Sequence, residues 1–230
     1  MSQIAMAVNR IKDEIKAAQK RSLYGAKDVL LLAVTKNVDV ERMKEAIESG
    51  ISVFGENRVQ EIEKKYDQIP TKVSWHLIGH LQRNKVKYII NKVSLIHSLD
   101  SISLAEEINK RAQQIEKIMP VLVQVNVADE TTKFGVSLDQ AIPFIQEIKE
   151  LPNLKISGLM TIGPLVEDVE KVRPIFRQLR ELRDQIREMN LPGVSMDYLS
   201  MGMSNDYLIA VEEGANIVRI GSGIFGPRLP

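Results

Sequence analysis

The 230-residue chain contains no cysteine. Disulfides, a thiolate nucleophile and Cys-bound zinc are therefore excluded together, and the composition fits a reducing compartment. Charge of one sign is not in excess either: 31 Lys plus Arg stand against 30 Asp plus Glu, a formal charge of +1. No overall field draws in nucleic acid or an anionic membrane, so any specific partner is recognised by a local site. The longest purely apolar run, Val29 to Val34, falls far short of the roughly 18 residues that span a bilayer. The opening MSQIAMAVNRIKDEIKAAQKR carries charge from Arg10 onward and has no signal-peptide core. No Gly/Ser/Pro-rich linker or internal repeat interrupts the chain. These absences give the expectation of a soluble, cytoplasmic protein made of one domain over residues 1–230.

What is present is an ordinary globular composition, 44% hydrophobic and 27% charged, which excludes disordered, collagen-like and coiled-coil classes. Ile4, Val8, Ile11 and Ile15 recur at helical spacing and predict an amphipathic N-terminal helix. Short apolar runs then alternate with longer amphipathic ones. The runs predict strands at Val29–Thr35, Ser52–Phe54, Ser74–Ile78, Ser94–His97, Val121–Val127, Lys155–Leu159, Asp197–Met201 and Asn216–Ile220. Helical patterns lie between them at about 39–49, 57–67, 81–91, 101–117, 137–150, 166–190 and 205–213. Leu104, Ile108 and Ile115 mark one apolar face; Val172, Phe176, Leu179, Leu182 and Ile186 mark another. Strict alternation implies a parallel sheet flanked by helices, either a closed eight-stranded barrel or an open doubly wound sheet. The strand count favours a (β/α)8 TIM barrel. GSGIFGPRLP, after the last strand, is too short for an eighth outer helix, and the N-terminal helix is expected to fill that gap.

In such a barrel, chemistry belongs at the carboxyl ends of the strands. Alternation puts Leu30, Leu32, Val34 and Lys36 on one face of the first strand. Spacing leaves Lys36 open between a solvated strand-end lysine and an inward amine, which partial desolvation would make available for a Schiff base. In NIVRIGSG, Val218 and Ile220 face outward, and Ile217, Arg219 and Gly221 inward. A buried arginine there needs an acceptor. Gly221 and Gly223 flank Ser222, giving a backbone able to turn amides toward an anion. In LSMGMSNDY, Ser204 sits where a helix through Ala210 needs its N-cap; spacing leaves it open between an ordinary cap and a hydroxyl facing the same anion. Other constellations are weaker. His76 and His80 lie in a strand-to-loop segment without a third metal ligand, and His97 reads as structural. The segment from Arg173 to Arg187 is interleaved with acids and reads as a salt-bridged helix surface. No nucleophile elbow supports Ser-His-Asp catalysis.

LLAVTK at 31–36, FGENRVQE at 54–61, WHLIGHLQRNK at 75–85, IHSLDS at 96–101, GLMTIGP at 158–164, LSMGMSNDY at 199–207 and VRIGSGIFG at 218–226 together resemble the YggS/PROSC family of pyridoxal phosphate homeostasis proteins. The resemblance covers nearly the whole chain. It implies a fold-type III barrel like the N-terminal domain of alanine racemase, binding pyridoxal 5'-phosphate as an internal aldimine on Lys36. Arg219 matches the arginine that approaches the pyridine nitrogen. Ser204, Gly221 and Ser222 match phosphate-binding segments, and Asn57 of the GEN motif is expected to line the pocket. His80 departs from the family's usual HFIG(P/S)LQ pattern. An arginine only donates a hydrogen bond to an unprotonated ring nitrogen, so carbanion chemistry is weak. Alanine racemases add a tyrosine from a partner subunit's C-terminal domain, whereas this sequence ends at Pro230. The resemblance therefore implies a non-enzymatic, monomeric protein that buffers or delivers the cofactor, with apo-enzymes as acceptors. A racemase is the alternative, and a metal-free Schiff-base aldolase a remoter one.

Overall fold

The computed structural model describes residues 2–24, 28–128, 130, 134–164 and 166–227. In chain order its elements are α1 (Gln3–Arg21), β1 (Leu30–Val34), α2 (Val40–Glu48), β2 (Val53–Glu56), α3 (Val59–Lys65), β3 (Ser74–Leu77), β4 (Leu95–Leu99), α4 (Ile102–Gln113), β5 (Met119–Gln124), α5 (Leu138–Ile148), β6 (Leu154–Met160), α6 (Arg173–Glu188), β7 (Val194–Ser200), α7 (Tyr207–Glu212), β8 (Ile217–Ile220) and one terminal turn, α8 (Ser222–Phe225). Each strand pairs in parallel with the next, and β8 pairs with β1 through Leu32↔Arg219 and its neighbours. This closes an eight-stranded barrel and excludes the open sheet.

Alternation along the strands sorts residues between two cores. Leu32, Val34, Val53, Ile78, Leu95, Leu122, Met160 and Ile217 pack inside the barrel, with Leu30 against them. Leu31, Ala33, Phe54, Trp75, Leu77, Ile96, Val218 and Ile220 face the helices. The inward row expected for β1 and the outward placement of Val218 and Ile220 are both observed. Val172, which caps α6, and Phe176, Leu179, Leu182 and Ile186 within it are all buried.

The sequence-based expectations of the elements need three corrections. The pattern at 81–91 forms a 3-10 turn, Arg83–Tyr88, instead of an α-helix. The helix expected at 101–117 stops at Gln113, so Ile115 lies past its end and is exposed. Arg180 is buried, unlike its solvated neighbours: it donates to Glu213 at 2.7 Å and its guanidinium lies 3.4 Å from the centre of the Tyr24 ring. Residues 222–225 of the GSGIFGPRLP tail form the turn α8, and its last three residues lie outside the described set.

The N-terminal helix does fill the open side. Ser2 caps α1 by accepting from the Ala5 amide, and Ile4, Val8, Ile11 and Ile15 form its buried stripe. The helix packs on α7, α2 and α8. Lys12 donates to the Ser49 and Gly50 carbonyls just past the end of α2, meeting exposed acceptors with a positive charge. Because Ile11 is 1% exposed, truncating it leaves a cavity at the junction between the two ends of the chain. We expect Ile11→Ala to lower the unfolding free energy in urea by about 2–5 kcal/mol. A loss well under 1 kcal/mol would show that α1 is not integral to the barrel.

Candidate functional site

The loops at the carboxyl ends of the strands enclose a cavity of about 620 Å³, within the range of small-molecule sites. Lys36, Asn57, Ser204, Arg219, Gly221 and Ser222 all line it. They come from the ends of β1, β2, β7 and β8, so the six residues singled out in the sequence meet in one place. Arg42 and Asp206 line it as well.

Lys36 follows β1 directly and is half-buried at the cavity wall. Asn37 takes up the left-handed conformation (φ 59°), which turns the chain sharply away after the lysine. The preceding peptide is clamped from behind. Thr35 donates its hydroxyl to Glu56 Oε1 at 2.6 Å, and Lys65 of α3 donates to the Thr35 carbonyl at 2.8 Å and to the same Glu56 oxygen at 2.9 Å. Lys65 also contacts Glu61 at 2.7 Å. Burial pushes the Glu56 carboxyl upward, opposed by the Thr35 and Lys65 contacts. Glu61 moves downward, chiefly through its hydrogen bond with Lys65. The Glu56 of the GEN segment thus fixes the strand end, while Asn57 beside it faces the cavity. Gly79 approaches Asn57 closely: a Cβ there would lie 2.3 Å from the Asn57 carbonyl oxygen.

On the opposite side, Ser204 differs from expectation. It does not cap α7, whose preceding residue is Asp206. Its Oγ accepts from the Gly223 amide at 3.2 Å and so ties the loop after β7 to the turn after β8. The loop's own fold accounts for the shift, since Asp206 accepts from the Met203 amide and takes the boundary position. The Ser204 hydroxyl still has its proton to donate into the cavity.

Arg219 forms the floor. Its side chain is buried, its Nη1 donates to Ser200 Oγ at 2.8 Å and its Nη2 to the Thr161 carbonyl at 2.8 Å. No carboxylate pairs with it at ion-pair distance among the described residues, although Asp206 is near enough to favour its charge. Burial lowers its pKa to about 10, so it remains a cation at neutral pH. Among the described residues two of its five N–H donors are in use, and it lines the cavity. A buried guanidinium with spare donors favours an anion or a bare acceptor atom as its neighbour.

Ser200 leads to two histidines. Its Oγ lies 2.9 Å from His97 Nδ1, and His97 Nε2 lies 3.0 Å from His76 Nδ1. Burial lowers His76 to a pKa of about 4 and holds His97 well below the histidine range, where His76 and Arg219 push it further down. Sequence reading missed Thr35, Glu56, Lys65, Ser200 and both of these roles. Alternation could have found the histidines, because His76 shares its face of β3 with Ile78 just beyond the strand end, as Leu95 and His97 share one of β4. His80 diverges from His76: its ring stacks on Phe134 with centroids 3.9 Å apart and its Nδ1 lies 3.6 Å from Asp100. Among the described residues, no three His, Asp or Glu side chains gather as a metal site would require.

The family described as the alanine racemase N-terminal domain matches residues 7–229. A pyridoxal phosphate homeostasis protein of Aquifex aeolicus is 48% identical over 223 residues, covering 96% of each chain. A protein from Bifidobacterium adolescentis has a similar crystal structure, with a TM-score of 0.89 and 37% identity over 97% of this chain and 94% of that one. PipY of Synechococcus elongatus, solved with pyridoxal phosphate bound, gives a TM-score of 0.83 and 30% identity, covering 97% of this chain and 100% of its own.

The buried histidines set a pH dependence. A lowered histidine pKa means that the unfolded chain takes up protons the folded one refuses, so this stability is full above pH 6.5 and is lost as pH falls toward 4. For His76 the loss is about 3 kcal/mol. Urea unfolding between pH 7 and 4 should show this decline, and His76→Phe should flatten it; equal slopes in the two proteins would refute the assignment.

Proposed function

The chain belongs to the alanine racemase N-terminal-domain family, among its pyridoxal phosphate homeostasis proteins, and from that membership we propose that it binds pyridoxal 5'-phosphate to buffer or deliver the cofactor. The observation that carries this reading is the cavity itself. A lysine amine, a buried arginine without a contacting carboxylate among the described residues and two joined hydroxyl- and amide-bearing loops surround one space. The relatives add support: the Aquifex aeolicus protein is named for pyridoxal phosphate homeostasis, and PipY is described with that cofactor bound.

Lys36 holds the cofactor covalently in this reading. When bound, the cofactor supplies an aldehyde to which a neutral amine adds, together with an electron-withdrawing pyridine ring. The Thr35–Glu56–Lys65 clamp keeps the Lys36 backbone fixed while its side chain engages or lets go. Arg219 offers a hydrogen bond to the ring nitrogen and no readily transferred proton, so it holds the ring without making it a strong electron sink. Ser204, Gly221 and Ser222 receive the phosphate, and Asn57 forms the wall beside Lys36. Such a set favours retention over turnover, and we read the protein as a carrier without a catalytic cycle of its own. It acts in this reading as a cytoplasmic monomer, with apo-enzymes as acceptors reached through the open barrel mouth. No described helix is long and apolar enough to cross a membrane.

Spectra, covalent trapping and binding measurements test this. Wild-type protein given pyridoxal phosphate should absorb near the visible edge, and borohydride should fix the cofactor on the peptide containing Lys36; Lys36→Ala should lose both signals. Arg219→Ala should bind about tenfold to hundredfold more weakly, as expected for losing a charged hydrogen-bond donor. Steady exchange of an amino acid's α-proton with solvent, dependent on Lys36, would instead favour a racemase.

A further inference from the structure

We infer that Ser200 and His97 are positioning residues for Arg219: a one-way hydrogen-bond chain running Arg219→Ser200→His97→His76 holds the guanidinium toward the cavity. The inference rests on reading that cavity as the pyridoxal phosphate site.

The direction of the chain follows from donor and acceptor counting. Arginine only donates, so Ser200 Oγ accepts from Nη1. The Ser200 side chain is fully buried and has, among the described residues, one other polar partner, His97 Nδ1 at 2.9 Å. The hydroxyl proton therefore goes to Nδ1, because a buried O–H without an acceptor is strongly disfavoured. His97 Nδ1 is then an acceptor, which puts its single proton on Nε2. That proton points at His76 Nδ1, 3.0 Å away, so His76 carries its own on Nε2. A proton on His97 Nδ1 would face the hydroxyl that already accepts from Arg219 and would orphan the serine's hydrogen. The low pKa of His97 agrees with this arrangement.

The four side chains come from β8, β7, β4 and β3, so the chain crosses the barrel interior from wall to wall. Apolar packing alone does not call for it, since Val, Ile and Leu dominate such interiors. By donating onward, the Ser200 hydroxyl becomes a better acceptor for Arg219, and the Thr161 carbonyl fixes the other terminal nitrogen. With both Nη atoms held from the barrel side, the remaining donors have one orientation. Thr161 is itself locked, its hydroxyl donating to Val125 O at 2.7 Å and its amide to Ser200 O at 3.1 Å.

Imidazole ¹⁵N NMR of wild-type protein without cofactor tests the direction with no mutation. His97 should be neutral at pH 7 with its proton on Nε2; a proton on Nδ1 would overturn the chain. Ser200→Ala and Ser200→Thr test the positioning role. The alanine variant should bind pyridoxal phosphate about tenfold more weakly and shift the absorption of the loaded protein, and threonine, which keeps the hydroxyl, should restore both. A folded Ser200→Ala protein with wild-type affinity and spectrum would overturn the positioning role. Should wild-type protein take up no pyridoxal phosphate, the cofactor reading and the ligand-facing half of the inference both fall, while the tautomer measurement still decides the chain.

Discussion

The guanidinium of Arg219 occupies a level of the barrel where branched apolar side chains ordinarily stack, and its neighbours are arranged around that fact. Leu32 lies across the β1–β8 register from it and Ile217 lies below it on its own strand. The charge is never neutralised by a contacting carboxylate among the described residues. Dipoles do the work instead: a carbonyl from the end of β6, a hydroxyl from β7 and, behind that hydroxyl, two neutral rings. A carboxylate partner would have satisfied the arginine and removed its preference for an external acceptor. Dipoles hold it in place and leave its positive charge available to the cavity.

The second support stands outside the barrel wall. Glu56 and Lys65 are both buried, and the lysine joins the Thr35 backbone to two carboxylates. A buried ion pair contributes little net stability, but removing one partner leaves the other uncompensated. Its effect here is geometric. The clamp fixes the peptide before Lys36 from the helix side, just as the polar chain fixes Arg219 from the core side. The two groups proposed to meet the cofactor's aldehyde and ring nitrogen are thus anchored through independent networks, and the hydroxyl-bearing loops are joined by a third contact between Ser204 and Gly223.

Much of this was legible in the sequence because a strand's period of two is a strong signal. It placed all eight strands, set Leu30, Leu32 and Val34 in one row with Lys36 beyond them, and turned Arg219 inward. The inference that a buried arginine needs an acceptor was sound, but the acceptors lie 19 and 58 residues away, and one sequence does not show which strands face each other across a barrel. His97 and Ser200 are 103 residues apart and were hidden for the same reason. Errors near helix ends have local causes. By residue type Ser204 suits a cap, yet Asp206 two residues on takes that position. Ile115 fitted the helical period after the helix itself had stopped. Residues 81–91 had the spacing of a helix but settled as a tighter turn.

The packing of α1 on α7 and α8 has a consequence for how the chain reaches this state. The helix α1 has its apolar face completed by α7 and α8, nearly 200 residues further along the chain, and β1 waits for β8 to complete its pairing. Contacts of such long sequence separation are slow to form because loop closure must precede them. Ile4, Val8, Ile11 and Ile15 therefore remain without their final partners until α7 and α8 are made, a period in which exposed apolar surface favours aggregation or chaperone capture. The site inherits this late closure: Lys36 is among the first of its residues to be made, and the Arg219 that completes the floor is among the last.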